Sequence, residues 1–69
     1  MAVGRIQKIV GDRGFGFIRT EASERDVFFH MSSLRGVSFE DLYEGLVVDL
    51  EIEMGERGPR AKWVSLPDA

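Results

Sequence analysis

From Val48 onward the stretch VVDLEIEM (residues 47–54) alternates apolar and acidic side chains. Val48, Leu50, Ile52 and Met54 fall on one side of an extended chain, and Asp49, Glu51 and Glu53 on the other. Successive Cβ atoms of a strand point to opposite faces, so this run reads as a half-buried β-strand with those four apolar residues inward. A lone strand, or even a lone pair, is not stable in water. The rest of the 69-residue chain therefore has to supply its neighbours.

Turn residues divide the remainder into four more short strands. The first is Val3–Val10, closed by Gly11 and Asp12. The second is Phe15–Thr20, and the polar EASER (21–25) turns the chain into a third, Asp26–His30. After the acidic strand, the glycine-rich GERGP (55–59) leads into a fifth, Arg60–Leu66. Pro59 stands at that strand's entrance, where its missing N–H does least damage. The fifteen residues MSSLRGVSFEDLYEG (31–45) show no periodicity, and loops of this length in small domains are more often functional than idle. Within them Ser38, followed by Asp41, predicts one capped helical turn, with Leu42 packed inward and Gly45 ending it. Five short strands in one domain covering residues 1–69 predict an all-β, five-stranded antiparallel barrel, since closure removes exposed sheet edges.

A chain this short buries about 60% of its extendable surface, so its stability is expected to be modest. With no cysteine, neither disulfides nor thiolate metal sites can add to it. The opening MAVGRIQKIVGDRG lacks the apolar run of a secretory signal, and nothing later could span a bilayer. The expected setting is soluble and cytoplasmic. Net charge is −3 and unevenly placed. Residues 1–35 hold six Lys/Arg and four Asp/Glu (+2), while residues 36–69 hold three and eight (−5). Binding to a polyanion would have to rely on a locally positive surface, or on forces other than charge.

The aromatic residues supply such a force. In the second strand Phe15, Phe17 and Arg19 share one face, and Gly14, Gly16 and Ile18 the other. In the third, Phe28 and His30 share a face opposite Val27, Phe29 and Met31. A buried imidazole needs partners, so the His30 face is read as outward, with Val27 and Phe29 inside. Ile18 inside then leaves Phe15 and Phe17 outside, and the inward glycines suit a tightly coiled barrel strand. Exposed ring clusters mark binding surfaces. A row of Phe, Phe, Phe and His flanked by arginine suits unpaired nucleobases, because every base has a face to stack.

RGFGFI (13–18) and VFFHM (27–31) resemble the two ribonucleoprotein motifs of cold-shock domains. GRIQKIV, FEDLYEG (39–45) and RGPRAKWV (57–64) resemble their first strand, central loop and final strand, in the same order along nearly the whole chain. The resemblance implies an OB-fold barrel that binds single-stranded RNA or DNA with low sequence selectivity, acting as an RNA chaperone or a regulator of transcription or translation. It places base stacking on Phe15, Phe17, Phe28, His30 and Phe39. Arg13 and Arg57 fall near the strand's backbone, and Pro59 at an apolar flank. Departures are visible too: Lys8 stands where the family usually has tryptophan, Ile9 replaces the next aromatic, and Met31 replaces the ring after the histidine. Losing even two of these three rings at about 1–3 kcal/mol each weakens binding by up to a hundredfold or more, against which Lys8 adds a charge and Met31 an apolar contact. Arg60, Lys62 and Trp63 enrich the last strand, with Trp63 open to two readings: an added stacking surface, or a lid over a barrel end.

No catalytic, cofactor or metal site is expected. His30 has Ser32 and Ser33 near it in sequence but no orienting acid. Glu51 and Glu53 read as a solvated strand face, and GDRGFG lacks the G-K-[ST] of a phosphate-cradling loop. Arg5, Arg19, Arg25 and Arg35 read most simply as surface charges. The partner expected is a single nucleic-acid strand, with no membrane and no small-molecule substrate, bound by a monomer with weak dimerisation open. A different class of function uses the same exposed rings to hold a protein or a second copy of the chain.

Overall fold

Six strands and two 3₁₀ turns make up the computed structural model, which describes residues 2–67. β1 is Ala2–Val10, β2 Phe15–Thr20, β3 Val27–His30, β4 Leu34–Arg35, β5 Val47–Gly55 and β6 Gly58–Ser65. The sheet order is β3-β2-β1-β5-β6-β4, and β3 pairs again with β6 to close a barrel. Five of these strands answer to the five expected. The sixth, β4, lies in the stretch expected to be irregular, because two residues carry no readable period. Its ladder to β6 (Leu34↔Val64, Arg35↔Ser65) and the closing pair Phe28↔Arg60 are parallel, whereas the others are antiparallel.

Ile6, Ile18, Val27, Phe29, Val48, Leu50 and Val64 form the core, with Leu42 and Ala61 at its margin. In β1 the alternation slips by one residue. Ile6 faces Ile18 and Lys8 faces Phe17, so Gln7 is the extra residue of a bulge. The slip turns Ile9 toward the core and Lys8 outward. Gly16, opposite Ile9, is buried, and a Cβ there would collide with the Lys8 carbonyl and lie 2.8–2.9 Å from two carbons of the Phe29 ring. The small residue is what lets the strand close over Phe29. Thr20, also buried, donates its hydroxyl to the Val3 carbonyl (2.8 Å) and accepts from the Ala22 N–H (3.2 Å).

Two expectations are corrected. Met54 is 79% exposed rather than inward. The ladder shifts register between Glu51 and Ile52, Leu50 is the last fully buried residue of β5, and Ile52 is already half-buried at the rim. Two residues further, about 7 Å on, Met54 has passed the barrel wall and enters the hairpin turn. Ser38 precedes the 3₁₀ turn Phe39–Asp41, as expected, but makes no side-chain cap; the turn is held by backbone bonds from Asp41 to Ser38 (3.0 Å) and from Leu42 to Phe39 (3.2 Å).

Candidate nucleic-acid interface

The β2–β3 register sets Phe15 opposite His30 and Phe17 opposite Phe28. Directly opposed residues share a face, and this one points away from the core because Ile18, Val27 and Phe29 are fully buried on the other. Phe15, Phe17 and Phe28 are half-buried, and His30 is exposed. Their phenyl rings touch one another in a triangle: Phe15–Phe28 centroids are 5.4 Å apart, Phe17–Phe28 6.0 Å and Phe15–Phe17 6.1 Å. The two longer contacts are edge-to-face at 71° and 90°, an arrangement that favours aromatic pairs. The result is a fixed apolar patch open to water.

Cations flank it on both sides. Lys8, exposed and opposite Phe17, lies where the sheet continues into β1. On the other side Arg60 is paired with Phe28 across the barrel seam. A shallow recess of roughly 190 Å³ opens there, between Phe28, His30, Ser32, Ser33, Arg60 and Lys62. Nδ1 of His30 accepts from the Ser32 N–H (3.1 Å) and lies 2.9 Å from its hydroxyl, leaving Nε2 available. Arg60 pairs with Glu53 at 2.8 Å and Lys62 with Glu51 at 3.7 Å. All four side chains are more than a third exposed, so these pairs contribute little to stability and exchange readily for other anions.

The other expected residues lie apart from the triangle. Met31 belongs to a 3₁₀ turn rather than to the inward face of β3; its N–H donates to the Gly14 carbonyl (2.8 Å), and its sulfur fills the space above Gly14, whose φ of +70° suits only glycine well. Arg13 is exposed in the turn before Phe15, and Arg57 in the β5–β6 turn. Phe39 is half-buried and leans on Phe29 (6.4 Å) and the core rather than on the triangle. Pro59 is buried opposite Met54. Conversely, the nearness of Arg60, Ser32 and Ser33 to Phe28 escaped the sequence reading, because it depends on which strand closes the barrel. The need for closure was the available signal; the parallel seam was not.

Trp63 stands on the outer side of β6, next to the fully buried Val64. Opposite Glu51 and not among the side chains packed against the core, it does not serve as a lid. The Arg35 guanidinium of β4 lies over its ring, 5.2 Å from the centroid.

Comparison with known proteins agrees with this architecture. Residues 2–67 match the family described as the 'Cold-shock' DNA-binding domain. The chain belongs to the cold-shock domain family. This cold-shock domain is 46% identical over 61 residues to the cold shock-like protein CspD of Bacillus cereus, covering 88% of this chain and 91% of that one. It is 42% identical over 65 residues to the cold shock-like protein CspLB of Listeria monocytogenes, covering 94% and 97%. The structure of drosophila Unr CSD456 superposes with a TM-score of 0.78 over 97% of this chain, at 21% identity, a likeness of fold; this domain spans 26% of that chain. Among the described residues no three His, Cys, Asp or Glu side chains gather into a metal site.

Proposed function

We propose that this cold-shock domain binds single-stranded RNA or DNA by stacking unpaired bases on Phe15, Phe17 and Phe28, with His30 at the edge of the same surface. The observation that carries the reading is the triangle of solvent-facing phenyl rings, all within 6.1 Å of one another. Stacking contributes about 1–3 kcal/mol per base and needs no net positive charge, which reconciles the site with a net charge of −3. Lys8, Arg13 and Arg57 neutralise phosphates, Met31 lies against a base, and the more enclosed Phe39 and Pro59 touch the strand at its margins. A protein that binds only unpaired strands draws the equilibrium away from duplex by mass action. That is the action of an RNA chaperone, or of a regulator of transcription or translation in the cytoplasm, and it requires no cofactor or catalytic group.

The double variant Phe17→Ala, Phe28→Ala tests it in a titration with a short oligo-dT or oligo-U, followed by backbone amide shifts. Affinity falls by about thirtyfold or more while the amide spectrum stays that of a folded barrel. Unchanged affinity overturns the reading. The salt dependence is also expected to be shallow, about −0.7 in log–log slope per phosphate, with roughly two or three contacts. A second reading turns the same rings toward a protein or a second copy, and the acidic net charge favours it. Light scattering over a concentration series, with and without oligonucleotide, separates the two.

A further inference from the structure

The phenyl triangle is not the one place where a ring and a cation meet on the outer surface. We infer that Trp63 and Arg35 form an additional stacking station for the same single strand, beyond the recess beside Phe28. The inference rests on the reading of the triangle as the principal base-stacking surface and lengthens its footprint.

Strand pairing holds the two side chains together. β4 runs parallel to β6 with Leu34 opposite Val64 and Arg35 opposite Ser65, so the ladder brings Arg35 beside Trp63. At 5.2 Å the guanidinium lies within cation–π distance of the indole. A guanidinium is planar on both sides. With one side on the indole, the other offers a flat, positively charged surface, and bases stack on arginine planes as they do on aromatic rings.

A continuous route joins this station to the triangle. Phe28 is paired with Arg60, and β6 then advances three residues to Trp63 against two on β5, Lys62 being the extra residue of a bulge that keeps Arg60 and Trp63 on one face, a span of about 7–10 Å. The recess holding Ser32, Ser33 and Lys62 lies along that path. Its acids are already engaged: Glu53 pairs with Arg60, and Glu51, opposite Trp63, pairs with Lys62. Arg35, Arg60 and Lys62 stand against Glu51, Glu53 and Asp49, which lies opposite Ser65 beside Arg35, so the route is close to neutral and stacking rather than net charge carries it. Single OB-type barrels accommodate roughly 4–16 nucleotides, so a footprint extended in this way stays within their range.

Because the chain has one tryptophan, its fluorescence reports on this site directly. The unaltered protein is titrated with oligo-dT of about four and about eight nucleotides. Both bind, the longer one more tightly, and the longer one alone quenches Trp63. Trp63→Ala then weakens the longer oligonucleotide by roughly 5- to 150-fold and leaves the shorter within about twofold. Arg35→Lys, which keeps the charge but not the plane, weakens the longer one with an unchanged salt slope. Unquenched fluorescence at saturation with the longer strand overturns the inference and leaves the triangle standing, and this arm needs no variant to fold. If neither oligonucleotide binds, both the station and the reading beneath it fall.

Discussion

The β2–β3 and β5–β6 hairpins are antiparallel ribbons of one sheet, each with an inner face on the core, yet their outer faces differ in kind. On β2–β3 the outer face carries Phe15, Phe17 and Phe28, with one ion pair, Arg19–Asp26 at 3.4 Å, at its end. On β5–β6 it carries Glu51 and Glu53, each answered by a cation from the neighbouring strand. Paired surface charges contribute about 0–1 kcal/mol and keep a sheet soluble. Solvent-facing phenyl rings forgo the benefit of burial, about 1.5–3 kcal/mol for each ring fully enclosed. A small barrel that leaves three rings half in water points to a partner for them. The contrast separates an outer face of paired charges, with Trp63 at its far end, from a continuous patch of unpaired rings.

Phe28 and Phe29 put that contrast into adjacent residues. Phe29 is fully buried in the core, and Phe28 belongs to the outer triangle. Phe29→Ala is expected to cost about 3–5 kcal/mol, out of a total stability of roughly 3–10 kcal/mol for a chain of this size. Urea unfolding monitored by circular dichroism shows a midpoint lowered by about a third or more, up to complete loss of the folded baseline. Phe28→Ala retains most of its unfolding midpoint while losing oligonucleotide affinity. If the two variants lose stability equally, the triangle is part of the core and the distinction between the hairpins fails.

Much of this was legible in the sequence because strict alternation leaves little choice. With Ile18 and Phe29 inward, alternation leaves Phe15, Phe17 and Phe28 outward, and the buried Gly14 and Gly16 agree. Legibility failed wherever the period was interrupted. The bulge at Gln7 decides that Ile9 turns in and Lys8 turns out, and no residue type there announces it. β4 is too short for any pattern, so Arg35 read as a plain surface charge although pairing sets it over Trp63. The neighbourhood of Phe28 and Arg60 is a property of closure, which local sequence does not encode.

Lys8 sharpens the comparison from the binding side. It is exposed, stands directly opposite Phe17 and adds charge where an aromatic would add a fourth ring to the outer face. Lys8→Trp is therefore expected to strengthen oligo-dT binding by about 1–3 kcal/mol, roughly 5- to 150-fold, while reducing the salt slope by about 0.7. Titrations at two salt concentrations measure both effects. An unchanged affinity means that a ring at this position lies outside the path of the strand.

Met54 gives the smallest effect and tests the other hairpin. By alternation it shares a face with Leu50, yet it lies beyond the register shift, 79% exposed, beside the Gly55–Gly58 turn. Exposed positions that make no cap, ion pair or strained backbone geometry generally tolerate substitution within about 0.5 kcal/mol. Met54→Gln should therefore leave the urea midpoint nearly unchanged, whereas Leu50→Ala, at a fully buried site in the same strand, loses about 2–5 kcal/mol. The difference between these two variants locates the barrel wall in β5: apolar residues stabilise the fold up to Ile52 and stop doing so two residues later. A Met54→Gln loss above about 1 kcal/mol would place the wall beyond Met54, and the β5–β6 tip would then belong to the core layer rather than to the solvated face.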